Sequence, residues 1–391
     1  MKNPNRILSI YAAGISDEPE AYRGVGFYRS VAPAEYLKDK YDITLAWDAQ
    51  AGWKKDYTVT DDVNLVHFVE HLWNKYDTLI IHHFDKPHGI ASLMGSRDYF
   101  SRALKTKKRI VIDLDDNYDN VQDINQMLFY REKSDYARQR HYINVAIKAA
   151  DAVTVSTKSL LDYYKGANSN IYHCPNFSWE DYWQPHDMRA NEDIVNIVYW
   201  GSSSHINDLK SVMDILADIL NENPNVRLCL MGQGYFPKLN EHPQVVAIPP
   251  DRAFRTFINT VKEYRFDIGI APLHTGDPFN KYKSNIKYFE YGYFRIPGVF
   301  SGDSTHAYYN TVKHGETGLL ATNYKDWKKH ITRLIKDTKY RHKLGGAAYE
   351  DTKNYDMGKI APLWDKAYEQ ILKTSSEEAT LAGLGLIKGR G

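Results

Sequence analysis

The sequence predicts an α/β protein made of two units, each a parallel β-sheet covered by helices. Short apolar strands alternate with helical segments through the first half of the 391 residues, and the alternation restarts at residue 194. A polar, proline-bearing stretch at 178–193 separates the two halves. Strands that alternate with helices are typical of parallel sheets with helices on both faces. A chain of this length suits two domains better than one.

The first half supplies six predicted strands. They span residues 7–11, 43–46, 78–82, 109–114, 152–156 and 170–173. A turn that contains Gly24 and Gly26 follows the first strand. Helices are predicted up to Leu37, at 90–104, at 130–150 and from Lys158, and the apolar residues of 63–76 have partly helical spacing.

The second half repeats this pattern. Its predicted strands span 194–200, 226–231, 245–248, 267–271 and 298–301. Apolar residues at helical spacing follow the first of these strands, and Asn207 or Asp208 is placed to cap that helix. Further helices are predicted at 284–294, capped by Ser284, and at 360–372.

These patterns predict the domain organisation. An N-terminal domain at 1–177 is followed by a linker at 178–193 and a C-terminal domain at 194–355. Residues 356–373 are expected to form a terminal helix that can cross back to the N-terminal domain, and the tail at 374–391 is expected to be flexible.

The composition argues against several classes of protein. The formal net charge is +1, so no global field attracts nucleic acid or anionic membrane. A basic run that includes Lys107 and Lys108 is typical of a solvated helix end. Cys174 and Cys229 lack the spacing of a disulfide framework or a metal site. With no apparent secretion signal or membrane-spanning stretch, a soluble cytoplasmic protein is expected.

The first strand of the second half ends in small residues. Gly201, Ser202 and Ser203 precede His205 at the start of a helix. Unpaired backbone amides at a helix start favour anions, so these residues suit a diphosphate. The alternative interpretation is a tight turn followed by a helix cap.

The segment at 266–301 is the most specific in the chain. Its strand runs into a loop with Asn280 and Lys283, and a helix is expected to begin at Ser284. A lysine and a serine hydroxyl at a helix start suit a pyrophosphate, and Glu290 suits the two hydroxyls of a ribose. The alternative is that Glu290 forms an exposed pair with the lysine three residues earlier, worth a few tenths of a kcal/mol.

This segment resembles the donor-binding stretch of GT-B glycosyltransferases of the retaining, glycogen-synthase-like superfamily, in the form common in bacterial and phage genomes. The matching pieces are Asp-Ile-Gly-Ile-Ala-Pro-Leu at 267–273, Phe-Asn at 279–280, Lys-Ser at 283–284 and Glu-Tyr at 290–291. Similar pieces of the family occur in order at 24–29, 150–157, 175–176 and 314–320. The resemblance covers residues 6 to 372.

The resemblance implies a GT-B fold, in which two Rossmann-like domains face each other across a cleft. It also implies transfer of a sugar from a nucleotide-sugar donor, UDP-linked, to a hydroxyl, with retention of configuration and with no metal or other cofactor. The donor contacts expected on these grounds are Gly24, Gly26, Gly201, Ser202, Ser203, His205, Asn280, Lys283, Ser284 and Glu290. Lys283 is also expected to stabilise the departing diphosphate.

One departure from the family concerns the donor sugar. Many retaining members carry two glutamates eight positions apart; Glu290 matches the second, but Tyr282 stands at the first. Asn280 or Lys283 is then a candidate to replace the missing contact. The family's basic phosphate-binding pair is also unmatched after Gly201, where His205 stands instead.

Three carboxylates end the strand at 109–114. Asp113, Asp115 and Asp116 have three interpretations: a metal-holding Asp-x-Asp of a GT-A enzyme, the nucleophile and acid of a haloacid-dehalogenase-type phosphatase, or a GT-B strand end that faces the acceptor. Asn117 stands where the phosphatase motif requires Thr or Val, and a GT-A fold leaves the second sheet unexplained. The third interpretation is favoured: Asp115 or Asp116 orients the acceptor hydroxyl or accepts its proton, and Asp113 points inward or into loop hydrogen bonds.

The acceptor stays open between several classes. A saccharide or glycolipid precursor is the default expectation. A hydroxymethylated base in phage DNA is the alternative and requires a basic groove and a flipped base. A non-catalytic protein that binds nucleotide sugars is the third.

Overall fold

A computed structural model of the chain describes residues 6–11, 24–47, 76–82, 109–121, 133–183, 193–201, 205–232, 239, 241–249 and 254–373. Several predictions lie outside these residues: the helical segments at 63–75 and 90–104, most of the linker, Lys107, Lys108, Ser202, Ser203 and the tail at 374–391. The chain divides into two compact units. Unit 1 holds the described residues up to 121, 133–176 and 360–373, and unit 2 holds 177–359.

Unit 1 contains a parallel sheet of six described strands in the order β2-β1-β3-β4-β5-β6. The strands are β1 Arg6–Tyr11, β2 Asp42–Trp47, β3 Thr78–His82, β4 Arg109–Leu114, β5 Ala152–Val155 and β6 Ile171–His173. The helices are α1 Ala32–Leu37, α2 Lys133–Ala149 and α3 Lys158–Tyr164, with a π-helical turn at Phe27–Val31 and a 3-10 turn at Tyr118–Asn120.

Unit 2 contains a second parallel sheet, in the order β12-β11-β10-β7-β8-β9. Its strands are β7 Val195–Trp200, β8 Val226–Met231, β9 Val245–Ile248, β10 Ile268–Ala271, β11 Gly298–Ser301 and β12 Leu319–Ala321. Its helices are α4 Glu180–Trp183, α5 Ile206–Lys210, α6 Met213–Glu222, α7 Phe254–Tyr264, α8 Ile286–Tyr293, α9 Ala307–Thr311, α10 Tyr324–Lys336 and α11 Thr338–Thr352. The last helix, α12 Met357–Lys373, begins in unit 2 and lies mostly in unit 1.

The predicted strands are confirmed, with bounds that differ by at most one residue. The inner strands β3, β4, β5, β7, β10 and β11 are buried along nearly their whole length, as a covered parallel sheet requires. β12 was not predicted, because three residues carry too short a pattern to separate a strand from a turn. No described helix is long and apolar enough to span a bilayer.

In each sheet successive strands are added first on one side and then on the other. We call the place between the two neighbouring strands where this change occurs the point of chain reversal. In unit 1 the chain proceeds from β1 to one side and from β3 to the other, and β1 and β3 are neighbours. In unit 2 the corresponding neighbours are β7 and β10. Open α/β sheets bind ligands at the carboxyl ends of the strands at such points.

Unit 2 is held together by an aliphatic core against its sheet. Ile197 of β7, Leu216 of α6 and Ile331 of α10 are each 0–1% exposed. Burial of such side chains stabilises a fold by about 1.5–3 kcal/mol each. On the site-bearing helix α8, Gly292 permits close packing, since a Cβ there would lie 2.2 Å from Thr352 of α11.

Two predicted helix caps are wrong. α8 begins at Ile286 with Asn285 as its N-cap, so Ser284 lies outside the helix and does not cap it. The N-cap of α5 is His205, and Asp208 lies within the helix. In both cases a polar residue near a helix start matched the local signal for a cap, but another residue occupies the N-cap position.

Candidate functional site

Glu290 lies at the carboxyl edge of the unit 2 sheet and is 6% exposed. Its Oε2 accepts a hydrogen bond of 2.7 Å from the indole Nε1 of Trp200, the last residue of β7. The Glu290 carboxylate is therefore buried, whereas the alternative interpretation placed it on the exposed surface. The carboxylate is held in a fixed orientation beside the strand where the chain reverses.

Packing of α8 explains why Glu290 faces this edge. The next residue, Tyr291, is buried, donates from its hydroxyl to the carbonyl of Ile270 in β10 at 2.8 Å, and packs its ring 4.4 Å from that of Trp200. Two successive side chains of α8 thus contact the ends of β7 and β10, which fixes the helix over the point of reversal.

Two lysines bring positive charge to the same edge. The Lys283 ammonium lies 4.3 Å from the centre of the Phe279 ring, and that of Lys287 lies 5.7 Å from the centre of the Tyr199 ring. Aromatic faces attract cations. Both ammonium groups also act on the imidazole of His205, whose pKa is lowered first by burial and then by these two charges. The two ammonium groups are therefore candidates to contact an anionic group.

His205 forms a partly buried pair with Asp208, one helical turn further along. Its Nδ1 lies 2.9 Å from Asp208 Oδ2. The other carboxylate oxygen of Asp208 accepts from the backbone N–H of His274 at 2.8 Å and from the Asn280 amide at 2.7 Å. Asp208, which sequence patterns suggested only as a helix cap, is therefore the centre of this network.

The pair is an ionised carboxylate and a neutral imidazole. Burial lowers the pKa of His205 to about 4, with Lys287 and Lys283 acting in the same direction. Burial alone would raise the pKa of Asp208, but hydrogen bonds from His205, His274 and Asn280 outweigh it and lower the pKa.

The other predicted donor contacts are placed as follows. Gly201 directly follows β7 at this edge. Asn280 is 2% exposed and donates to Asp208. Gly24 and Gly26 belong to unit 1, where Gly24 has φ +40° and accepts at its carbonyl from Phe27 N–H.

The point of chain reversal in unit 1 is filled by a polar network. Arg29, from the π-helical turn, is 1% exposed and donates from Nε to Asp113 at 2.9 Å. His82 Nδ1 lies 2.9 Å from the same carboxylate, and its Nε2 lies 2.7 Å from the Ser9 hydroxyl. Burial alone would raise the pKa of Asp113, but Arg29 and His82 hold it well below its ordinary range. Asp113 thus points inward, as predicted.

Asp115 and Asp116 follow β4 and are 9% and 6% exposed. Asp115 Oδ1 accepts from the Asn176 amide at 2.9 Å, and Asn176 Oδ1 in turn accepts from Arg29 at 3.1 Å. Burial and the neighbouring Asp116 raise the pKa of Asp115. A carboxylate with a raised pKa is a better proton acceptor than an ordinary one.

Within the part of the chain that the structure describes, no three side chains of His, Cys, Asp or Glu are grouped so as to hold a metal ion. Cys174 and Cys229 are both buried free thiols.

No protein-family model and no curated protein sequence matches this chain. Solved structures do match it. Sucrose-phosphate synthase from Thermosynechococcus elongatus superposes with a TM-score of 0.66 at 14% identity, over 94% of this chain and 99% of that one. Anabaena HepE, in complex with UDP and glucose, gives 0.65 at 12% identity, over 95% and 100%.

A third match is named for a different activity. The putative UDP-N-acetylglucosamine 2-epimerase from Listeria monocytogenes gives a TM-score of 0.54 at 14% identity, over 96% of this chain and 99% of that one. At these identities the likeness shows the fold alone. The predicted fold class is confirmed: the chain has the α/β fold of GT-B glycosyltransferases, with two parallel sheets that each contain six described strands.

Proposed function

We propose that this protein is a glycosyltransferase that moves a sugar from a UDP-sugar to an acceptor hydroxyl, with retention of configuration. The observation that carries the proposal is the group of Lys283, Lys287, Glu290 and His205 at the carboxyl edge of β7 and β10. This group lies where open α/β sheets bind ligands. It also coincides with the segment that resembles the donor-binding stretch of the family.

The donor is assigned to unit 2 for two reasons. Lys283 and Lys287 supply two ammonium groups of the kind that stabilise a diphosphate. Glu290, oriented by Trp200, offers a carboxylate that accepts hydrogen bonds from ribose hydroxyls. HepE, a protein with the same fold, was solved with UDP-glucose, which supports the choice of UDP.

The acceptor is assigned to the carboxyl edge of unit 1. Asp115 and Asp116 are the buried carboxylates there that follow β4. The raised pKa of Asp115 suits a group that orients the acceptor hydroxyl or accepts its proton. The class of acceptor that we propose is a saccharide or glycolipid precursor.

A donor screen followed by product analysis tests the proposal. The full chain is incubated with UDP and with UDP-sugars, and thermal stabilisation identifies those that bind. The best donor is then incubated with oligosaccharides and lipid-linked sugars, and products are detected by mass spectrometry. Transfer of a hexose supports the proposal. Inversion of UDP-N-acetylglucosamine at C2 without transfer would instead identify an epimerase.

A further inference from the structure

His205 presents a hydrogen-bond acceptor to the candidate site. The Asp208 carboxylate can only accept hydrogen bonds, so the single proton of the neutral imidazole lies on Nδ1, which faces it at 2.9 Å. Nε2 then carries a lone pair. Among the described residues, none forms a hydrogen bond with this nitrogen, and the His205 side chain is 14% exposed.

The partners of Asp208 hold the imidazole in this state. Its second oxygen receives two donors, the His274 N–H and the Asn280 amide, so the carboxylate cannot turn away from the ring. Asn280 therefore acts as a positioning residue for the pair. The ring cannot exchange its tautomer without a loss of the bond to Asp208.

An acceptor in this position does not suit a phosphate, whose oxygens are acceptors too. It suits a group that donates. Lys283 and Lys287 already supply charge for a diphosphate beside the ring. Resting on the proposed function, we infer that His205 Nε2 accepts a hydrogen bond from a hydroxyl of the donor sugar, and so helps to select the sugar. In this role His205 supplies a polar sugar contact at a site where Tyr282 stands in place of the family's first glutamate.

The test separates the sugar from the nucleotide. Affinities of the full chain for UDP, UDP-glucose, UDP-galactose and UDP-N-acetylglucosamine are measured by calorimetry for the wild type and for His205→Ala. We expect the variant to bind UDP within about twofold of the wild type and to bind the preferred UDP-sugar about 5- to 10-fold more weakly, the scale of one neutral hydrogen bond. His242→Ala, which removes an imidazole before β9, should change neither affinity.

Deoxyfluoro analogues of the preferred UDP-sugar locate the hydroxyl. Fluorine cannot donate a hydrogen bond, so one analogue should bind the wild type about 5- to 10-fold more weakly, and His205→Ala should bind that analogue and the parent sugar equally.

The variant Asp208→Asn tests the same contact by changing the position of the imidazole proton. Its oxygen stays with the two donors, its amide donates to Nδ1, and the imidazole proton moves to Nε2. The sugar-dependent affinity should then fall as in His205→Ala, with UDP binding retained.

The outcomes are distinct. If the wild type binds neither UDP nor any UDP-sugar, the proposed function fails, and the inference falls with it. If UDP binds but His205→Ala weakens UDP and UDP-sugars equally, the contact is to the nucleotide, and the inference alone is overturned. It is also overturned if every deoxyfluoro analogue loses the same affinity in the wild type and in His205→Ala.

Discussion

Each of the two units holds a histidine–aspartate pair near its point of chain reversal. In unit 1 both ring nitrogens of the histidine have described hydrogen-bond partners, and we call this pair closed; in unit 2 only one has, and we call that pair open. In unit 1, His82 and Asp113 are each 1% exposed at the side chain, and Ser9 occupies the far nitrogen of the ring. In unit 2, His205 and Asp208 are joined at the same 2.9 Å, yet no described residue bonds to the far nitrogen.

The difference shows that the pair itself does not define a role. In unit 1 Arg29 fills the space above the strands and ties the pair to Asn176 and Trp364, so the polar groups serve the fold. In unit 2 the charges near the pair are two lysines that act across the site. Whether such a histidine stabilises the fold or can contact a ligand depends on what surrounds its Nε2 atom.

The largest expected effect is a loss of turnover on substitution of Asp115, which joins the unit 1 network through Asn176. Asp115→Asn removes the carboxylate that we assign to the acceptor, and turnover should fall by about 10²- to 10⁴-fold while UDP affinity changes little. A chelator should leave the wild-type rate largely intact. Steady-state kinetics and UDP titration check both. Loss of donor binding in the variant, with rescue of chelated enzyme by a divalent ion, would support the metal interpretation instead.

The closed pair should matter most for stability. Asp113→Ala leaves Arg29 buried without its carboxylate, and the free energy of unfolding should fall by about 3–5 kcal/mol. Asp208→Ala removes an acceptor from hydrogen-bond donors rather than from a buried guanidinium, so we expect a loss of about 1–3 kcal/mol. Urea unfolding of both variants measures the contrast. Equal losses would contradict the distinction between the two pairs.

The open pair should leave a signature in the pH dependence of stability. The pKa of His205 is about 4 in the folded state and about 6.5 in the unfolded chain. Between these values the unfolded state binds the proton, so the free energy of unfolding falls as the pH drops from about 6.5 to about 4, by about 3 kcal/mol at most. Above pH 7 this group contributes no pH dependence.

His205→Gln should remove that part of the slope. The charged groups that face the ring, Asp208, Lys283 and Lys287, are unchanged in this variant. Urea unfolding at pH 7, 6, 5 and 4.5 compares the two proteins. Parallel curves over this range would show that His205 is not held neutral in the fold.

A smaller effect is expected at Glu290. Glu290→Gln keeps an acceptor for Trp200 but removes the charge, and UDP affinity should fall by about 1–3 kcal/mol. Glu263→Gln, on an exposed position of α7, is the matched control and should not change it. Unchanged UDP affinity in Glu290→Gln would remove Glu290 from the proposed donor site.

Sequence patterns located the strand ends but not the networks between them. Residues such as Glu290 and Asp113 follow from periodicity and the family resemblance, because strand ends of a parallel sheet gather at one edge. Periodicity and resemblance do not reveal the roles of Arg29 and Asp208. Arg29 meets Asp113 across 84 positions, and Asp208 meets Asn280 across 72. Burial of a charged side chain depends on such distant partners, which local propensity does not contain.

The wrong prediction of a cap at Ser284 has a more local origin. A serine before an apolar helix matches the local signal for an N-cap. In the structure α8 begins two residues later, at Ile286. A 3-10 turn at Pro278–Tyr282 precedes it, and Asp277, the N-cap of that turn, accepts a hydrogen bond from the backbone N–H of Phe279. Ser284 therefore lies between the turn and the N-cap residue Asn285, and it caps neither element.

A crystal structure of the full chain with its preferred UDP-sugar tests the central claim most directly. We predict the diphosphate beside Lys283, the ribose hydroxyls on Glu290 and one sugar hydroxyl within about 2.6–3.2 Å of His205 Nε2. A nucleotide bound at the carboxyl edge of unit 1, or at unit 2 without contact to Lys283 and Glu290, would contradict the account.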